Sequence, residues 1–435
     1  MHRAAFLLYA HRERLRRSGV LIVGPNRGFL NYIAAVLPAL GEIEVEQSTV
    51  DDLLNHVPVK AVDPPEVASL KHDPRMATVL RKVLWSRLKR PVDAIVVSDG
   101  AYRWRIDEGV LKRLIDDVRR EETPYLTGRE RLRSRVVALL QRQAEARTAE
   151  SPPETWVRRM GKSKPVTEFL DHAWPPVKPE KLVAEFLADP ADDLLTPQEQ
   201  DLLRRAKSTR WTAADTVLID EVTGLLERTP SFGHIVIDEA QDLSPMQARA
   251  LARRSGHGSL TVLGDLAQGT APWAARDWAD TLAHLDKRDG KVVPLTTGFR
   301  VPATVLTLAN KLLPELDVVV PAATSLRRDG SLEVEASADV VGTVARLLLR
   351  EGSVGVIVPD AHVDRLKGKL PDDPRLELVP VSLVKGLEYD HVLLFEPADI
   401  VAAEAKGLNR LYVALTRAVT SLTVLHTKPL PPALL

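Results

Sequence analysis

The 435-residue sequence contains no cysteine. That excludes disulfides, thiolate metal sites and a cysteine nucleophile, and it fits a reducing compartment. No apolar run approaches the ~18–20 residues that a membrane-spanning helix needs. Net charge is absent too: Lys+Arg and Asp+Glu both total 59, so only local charge can point to a partner. The histidines follow no metal-ligand spacing, and none is assigned to a metal. No fixed-period repeat is present, and low complexity is confined to a proline-rich stretch and the tail KPLPPALL.

What is present reads as a soluble globular chain long enough for two or three domains, each with its own core. The N-terminal segment MHRAAFLLYAHRERLRR has a short apolar stretch. Arg12, Arg14, Arg16 and Arg17 follow where a signal peptide needs small residues, so the segment is expected to be an amphipathic helix, His2–Arg17, of a cytoplasmic protein. A strand Val20–Val23, a turn Gly24-Pro25-Asn26-Arg27-Gly28, a helix Phe29–Leu40 and a strand near Ile43–Glu46 follow. Short apolar strands bounded by Gly and Pro and followed by helices predict a parallel sheet covered on both faces.

The pattern changes between about Ala61 and Arg210, which is rich in Arg and Pro and mostly helical, with one hairpin expected across Asp99-Gly100. Residues 71–150 hold nineteen Lys/Arg against twelve Asp/Glu, a local excess of seven positive charges. Alternation of strand and helix resumes at Trp211 with a helix Ala213–Leu226 and strands His234–Ile237 and Ser259–Leu263. A second set follows Pro294, with strands Leu332–Ala336, Val354–Pro359, Leu376–Leu383, His391–Phe395 and Leu422–His426. The expected division is therefore 1–60 and 211–295 for a first α/β lobe, 61–210 for an insertion into it, and 296–435 for a second lobe.

The chemistry gathers in an ordered series. In His-Ile-Val-Ile-Asp-Glu-Ala-Gln-Asp, residues 234–242, a buried strand delivers Asp238 and Glu239 to its C-terminal end, where open α/β sheets bind ligands. Mg²⁺ takes one or two carboxylates with phosphate oxygens and water, which suits Asp238, through water. Glu239 suits the activation of an attacking water. The bland alternative is an Asp-Glu pair opening a turn or capping a helix. A second strand tip, Gly264-Asp265-Leu266-Ala267-Gln268, places Gln268 to sense a γ-phosphate. Thr297-Gly298-Phe299-Arg300, Lys385-Gly386-Leu387-Glu388-Tyr389-Asp390 and Leu411-Tyr412-Val413-Ala414-Leu415-Thr416-Arg417-Ala418 come next. Arg300 and Arg417 could each neutralise charge on a transferring phosphoryl group; taken singly, each would read as a surface salt bridge.

The series DEAQD, GDLAQ, GFR, KGLEYD and LYVALTRA resembles motifs II to VI of superfamily 1 helicases of the UvrD/Rep type. The wording around it, such as HRAAFLLYAHRERLRRSGVLIVGPN and FRVPATVLTLANKLLP, resembles HelD, a helicase-like ATPase that binds RNA polymerase and releases stalled complexes. The resemblance covers 1–60 and 211–435; the 61–210 block corresponds by position to the clamp-opening insertion of that family. It implies an α/β fold of two RecA-like P-loop NTPase lobes, ATP and Mg²⁺ as cofactors, and RNA polymerase as partner, with nucleic acid as a second candidate. By the same resemblance Asp238 serves Mg²⁺ and Glu239 hydrolysis, while Gln268, Arg300 and Arg417 contact the γ-phosphate. Phe299 stacks on adenine, Glu388 holds the ribose, and Lys385 and Gly386 belong to the nucleotide site.

Two departures qualify this. The family's phosphate loop, G-x-x-x-x-G-K-[ST], cradles phosphates with backbone N–H groups and a lysine. It is expected immediately before the first helix, and the sequence opens at Met1-His2-Arg3, so a truncated reading of the motor with little turnover of its own is expected. Gly161-Lys162-Ser163 is a decoy, because Trp156 stands where the first glycine belongs. Second, the Thr-x-His pair with which DNA-translocating relatives contact single-stranded DNA is replaced by Pro380-Val381-Ser382. That weighs against the first rival reading, a UvrD-like helicase or translocase of DNA repair. The second rival is a non-catalytic remnant that binds polymerase or nucleic acid. Among weaker signals, Arg129, Arg131, Arg133, Arg135, Arg142 and Arg147 could meet phosphates or form a solvated helix face, and Trp156, Trp174, Trp273 and Trp278 could be contact tips or packing.

Overall fold

The computed structural model describes residues 18–36, 45–206 and 210–435. The helix expected at His2–Arg17 lies outside them. The chain divides into two compact units, Met1–Leu53 with Phe232–Leu435, and Leu54–Ser231.

In the first unit, strand β1 (Val20–Gly24) is buried along its whole length. It lies between β2 (Val45–Thr49) and β3 (His234–Ile237), and β4 (Leu260–Val262) pairs beyond β3, giving the order β2-β1-β3-β4. All three pairings are parallel. The apolar runs Val20–Val23 of β1 and Ile235–Ile237 of β3 suit this place, since a central parallel strand is covered on both faces and gains nothing from alternation. Asn26 starts the helix after β1: its Oδ1 accepts from Phe29 N at 2.8 Å, and the helix runs Arg27–Val36. The helix after β3, Pro245–Arg253, opens with a capping box between Ser244 and Gln247.

A second parallel sheet is built from β5 (Ser331–Ala336), β6 (Val354–Val358), β7 (Leu376–Pro380), β8 (Tyr389–Phe395) and β9 (Ala418–His426), in the order β7-β6-β8-β9-β5. Successive side chains serve opposite faces. Leu394 and Val424 join Val305, Ala309, Leu411 and Leu415 in one core. Leu393 and Leu425 join Val340, Val344, Val356 and Leu347 in the other. The strand expected to reach Leu383 stops at Pro380, and Val381–Leu383 turns as a single 3₁₀ turn.

The second unit is mostly helical. Nine helices run from Pro65–Lys71 to Ala213–Leu226 among its described residues, with one antiparallel hairpin, Ile95–Asp99 against Tyr102–Ile106. Gly100 turns the hairpin at φ +59°, a conformation that favours glycine. Helix Ala213–Leu226, expected in the first lobe, belongs to this unit instead. Val217, Leu218, Ile219 and Val222 are buried in it, as are Asp215, Asp220 and Glu221. A helix buried on every side is held by its neighbours rather than by one sheet face, and the boundary accordingly falls at Phe232.

The arginines of helix Tyr125–Thr148 are largely used inside the unit. Arg129 is buried and donates to Leu170 O at 2.6 Å, to Trp174 O and to Asp171. Arg131 and Arg135 both pair with Glu121, and Arg133 with Glu130. Trp174 is fully buried against Tyr125 and Trp85, with ring centroids 5.5 and 5.8 Å away. Trp156 donates to Asp99 at 2.6 Å. These tryptophans are packing elements. Among the described residues no helix is long and apolar enough to cross a membrane.

Within this unit, a charge cluster ties the segment near residue 63 to the segment near residue 212. Lys71 is fully buried, with its Nζ 2.8 Å from Asp63 and 2.9 Å from Asp215. Arg205 pairs with the other Asp215 oxygen at 2.8 Å, and Thr212 Oγ1 donates to Asp63 at 2.6 Å. Removing one partner of a buried pair leaves the other desolvated and uncompensated, at a cost of about 3 kcal/mol or more. Lys71→Met is therefore expected to destabilise the chain by about 3 kcal/mol in urea unfolding. Arg27→Ala, which loses only an exposed pair with Asp52, should leave the same curve nearly unmoved.

Candidate functional site

The site is built from the tips of β3 and β4. Asp238 continues the sheet through its N–H to Val23 O at 3.0 Å, so its side chain leaves at the C-terminal edge. Burial pushes the Asp238 carboxyl up from its ordinary value, and the neighbouring Glu239 charge acts in the same direction. Glu239 adopts φ +52°. A left-handed conformation is uncommon for a residue with a side chain and is held only where the surroundings fix it. Here the fixing group is Gln241, fully buried, whose Nε2 donates to Glu239 Oε2 at 2.6 Å while its Oε1 accepts from Asp265 N at 3.0 Å. One amide thus ties the two strand tips together. Gly264 makes this approach feasible, since a Cβ there would lie 2.4 Å from Gln241 Oε1.

Asp265 and Asp242 shape the loop that carries Gln268. Asp265 accepts from Ala267 N at 3.0 Å and from Gln268 Nε2 at 2.9 Å, and burial pushes its carboxyl up as well. Asp242 accepts from Thr270 N and Ala271 N at 2.8 and 3.0 Å. Trp273 Nε1 donates to the Asp242 carbonyl at 2.8 Å, and Trp278 packs on the core around β1 and β3. Both rings are therefore held by the protein itself.

The second lobe contributes cations. Arg417, only 3% exposed, donates to Gln268 Oε1 at 2.9 Å, to Val413 O at 3.0 Å and to Thr416 Oγ1 at 3.2 Å. None of these partners is charged, and among the described residues no carboxylate lies within ion-pair distance of it. Burial pushes its guanidinium down from the ordinary arginine value, with Arg300 acting in the same direction and the charges of Glu239, Glu388 and Asp265 acting against it. Lys385 Nζ sits 3.0 Å from Glu239 Oε2, pairs with Asp242, and lies 3.3 Å from Gln268 O. Asn409 Nδ2 donates to Ala267 O at 3.1 Å. At φ +82°, Gly386 brings its backbone so near Asn26 that a Cβ would be 3.3 Å from Asn26 Nδ2.

Of the residues expected from the sequence, Asp238, Glu239, Gln268, Lys385 and Arg417 thus form one connected network, with Gly386 beside it. Arg300 and Glu388 pair with each other. Phe299, next to Arg300, is 72% exposed. Gln241, Asp242 and Asp265 were visible inside DEAQD and GDLAQ but were passed over, because a buried amide strut and loop-capping carboxylates have no signature apart from the motif. Asn409 had no signal of its own. Among the described residues no group of three or more His, Cys, Asp or Glu side chains is arranged to hold a metal ion.

Comparison with solved structures gives low-identity likenesses. The PRRSV helicase is 17% identical over 46% of this chain and 36% of that one, with a TM-score of 0.30. The arterivirus nonstructural protein 10 helicase is 18% identical over 45% and 40%, with a TM-score of 0.29. The C-terminal domain of a possible DNA helicase from Lactobacillus plantarum WCFS1 is 18% identical over 32% of this chain and 92% of that one, with a TM-score of 0.24. The match spans well under half of the two viral chains, and at these scores none of the likenesses carries an argument. A search of curated proteins gives no match. The family comparison is broader: residues 160–426, more than half of the chain, match the viral superfamily 1 RNA helicase core domain. Strand tips, carboxylate pair and second-lobe arginine all fall inside that span, and the chain belongs to this superfamily 1 helicase core family.

Proposed function

We propose that this chain is the core of an ATP-dependent superfamily 1 motor of the HelD kind, which uses its two lobes to remodel RNA polymerase. The observation that carries the nucleotide part is Arg417. Arg417 is a buried guanidinium whose hydrogen bonds go to neutral acceptors, with the charges of Glu239, Glu388 and Asp265 nearby but none in an ion pair with it, and burying such a charge is costly unless an anion completes it. Its neighbour Gln268 is turned to the same point from the first lobe. A γ-phosphate there would satisfy both groups, and its transfer would be favoured by charge already in position.

Mg²⁺ fits the donor set in the manner of a phosphate-bound ion. Asp238 is the carboxylate at the strand tip, and phosphate oxygens and water would supply the remaining ligands. When bound with nucleotide, such an ion would supply positive charge that offsets the phosphates. Glu239, locked by its backbone and by Gln241, would orient the attacking water. Gly386 and Glu388 would face the sugar, Arg300 would turn from Glu388 to phosphate, and exposed Phe299 offers a face for a base.

The polymerase part rests on the resemblance of the motif wording and on the 3₁₀ turn at Pro380-Val381-Ser382. There Ser382 N is engaged by Asp360 Oδ1 at 3.1 Å, and neither Pro380 nor Val381 offers the polar side chain that would grip a nucleic-acid strand. A motor that pushes on protein in a cytoplasmic setting accounts for that better than a DNA translocase.

Three outcomes test these statements. Fluorescent mant-ATP with Mg²⁺ should bind the chain, and Arg417→Met should weaken binding by about 10- to 100-fold, the worth of a charge-assisted hydrogen bond; equal affinities would remove the nucleotide reading. Tagged chain should retain core RNA polymerase, whereas ATPase stimulation by single-stranded DNA or RNA without polymerase binding would favour the translocase. The third concerns pH. Because the folded carboxyl of Asp238 holds its proton to higher pH than the unfolded one, its contribution to stability is complete below the unfolded value of ~3.9 and is lost as pH rises through the folded value. Asp238→Asn should accordingly raise Tm at pH 7, lose that advantage near pH ~3.5, and abolish the Mg²⁺ dependence of mant-ATP binding.

A further inference from the structure

The position of Lys385 is at odds with a simple nucleotide ligand. Its ammonium lies on the Glu239 oxygen at 3.0 Å and on Asp242, with the Gln268 carbonyl at 3.3 Å. All three partners belong to the first lobe, and Lys385 follows the 3₁₀ turn after β7 in the second. Its side chain and the two carboxylates are each between 17 and 24% exposed, so the pairing is largely shielded from solvent. Lys385 and the Gln241 amide thereby both engage Glu239 Oε2, so that oxygen is tied to the protein rather than turned to an incoming water.

The local charge count gives this a direction. Asp238, Glu239, Asp242 and Asp265 crowd the two strand tips. Against them stand Lys385 and Arg417, since Arg300 is matched by Glu388. Lys385 is the cation that touches two of the four. A divalent ion arriving on phosphates beside Asp238 would bring two positive charges to the same cluster, repel the ammonium and take over its neutralising role.

We infer that Lys385 is an interlobe latch. In the nucleotide-free chain it holds Glu239 and Asp242 and so keeps the lobes joined and the catalytic carboxylate silent; Mg²⁺-nucleotide displaces it, and Glu239 is freed only when there is something to hydrolyse. The inference rests on the nucleotide reading of the site for what opens the latch, but the latch itself is a contact within this chain. Lys385 is thus a positioning residue, and its removal has the opposite sign from the removal of a phosphate ligand.

The test uses the full chain and exploits its lack of cysteine. Spin labels on His257→Cys and Lys369→Cys, exposed positions of the first and second lobes, report the interlobe distance by pulsed electron resonance. Without nucleotide, Lys385→Met should lengthen or broaden that distance, and Lys385→Arg, which keeps the cation, should restore it. In parallel, Lys385→Met should bind Mg²⁺·mant-ATP about fivefold or more tightly than the parent, the scale of a modest coupling between sites. An unchanged distance in Lys385→Met would overturn the latch, and so would weaker mant-ATP binding, which would make Lys385 a phosphate ligand. If neither the parent nor the variant binds mant-ATP while the distance still shifts, the latch stands and the nucleotide reading falls.

Discussion

Crowded negative charge is the constraint on which the site depends. Four carboxylates meet at the ends of β3 and β4, and such a group flies apart or takes up protons unless each member has a reason to stay. Asp265 is held by the Ala267 N–H and the Gln268 amide, and Asp242 by the N–H groups of Thr270 and Ala271. Glu239 is held by Gln241 and by Lys385. Asp238 is the least provided for: the N–H of Glu239, at 3.0 Å, is the donor to its side chain. The residue with the weakest internal support is the one best suited to an external cation, because a fully satisfied carboxylate would gain little from binding one.

The opposite situation holds in the second lobe. There the group without an ion pair is positive, since the hydrogen bonds of Arg417 go to neutral acceptors and the nearby carboxylates stop short of pairing with it. A half-satisfied anion and a half-satisfied cation on two lobes of one unit describe the two ends of a metal–phosphate group. Gln268 links them, receiving from Arg417 through its oxygen and giving to Asp265 through its nitrogen. The amide is therefore oriented by both lobes at once, which is what a sensor of their relation requires. Neither charge on its own distinguishes this from an ordinary polar cluster.

Much of this was legible in the sequence because the relevant chemistry is local. A buried strand whose apolar run Ile235–Ile237 ends in Asp-Glu can hardly do other than present carboxylates at a sheet edge. The β-strands of the second lobe were readable from short apolar runs, with ends that moved by a few residues, as at Pro380. Pairings between distant segments were not readable. Nothing in KGLEYD says that its lysine will reach DEAQD, or that its glutamate will engage the arginine of GFR. Helix Ala213–Leu226 groups with the helical unit for a related reason: a run with apolar residues on all sides says that it is buried, but not in which unit. The arginines near 130 were ambiguous because charge period alone cannot distinguish Arg129, folded inward onto carbonyls, from Arg142 on the same helix.

The inserted unit follows a different economy of charge. Inside it, Lys71, Asp63, Asp215, Arg205 and Thr212 form a buried network in which each ion has an opposite partner. Such a network is seldom the most stabilising filling for its volume, since apolar residues often do as well. Its distinguishing property is geometric: hydrogen-bonded ions accept only one arrangement, whereas apolar groups tolerate several. Backbone bonds from Lys60 and Ala61 to Trp211 set these two segments of the unit side by side. A satisfied ionic lock at that place fixes how the two segments meet, while the incomplete ionic set at the strand tips of the other unit leaves it open to ligand. The same residue types thus produce rigidity where their charges are matched and responsiveness where they are not.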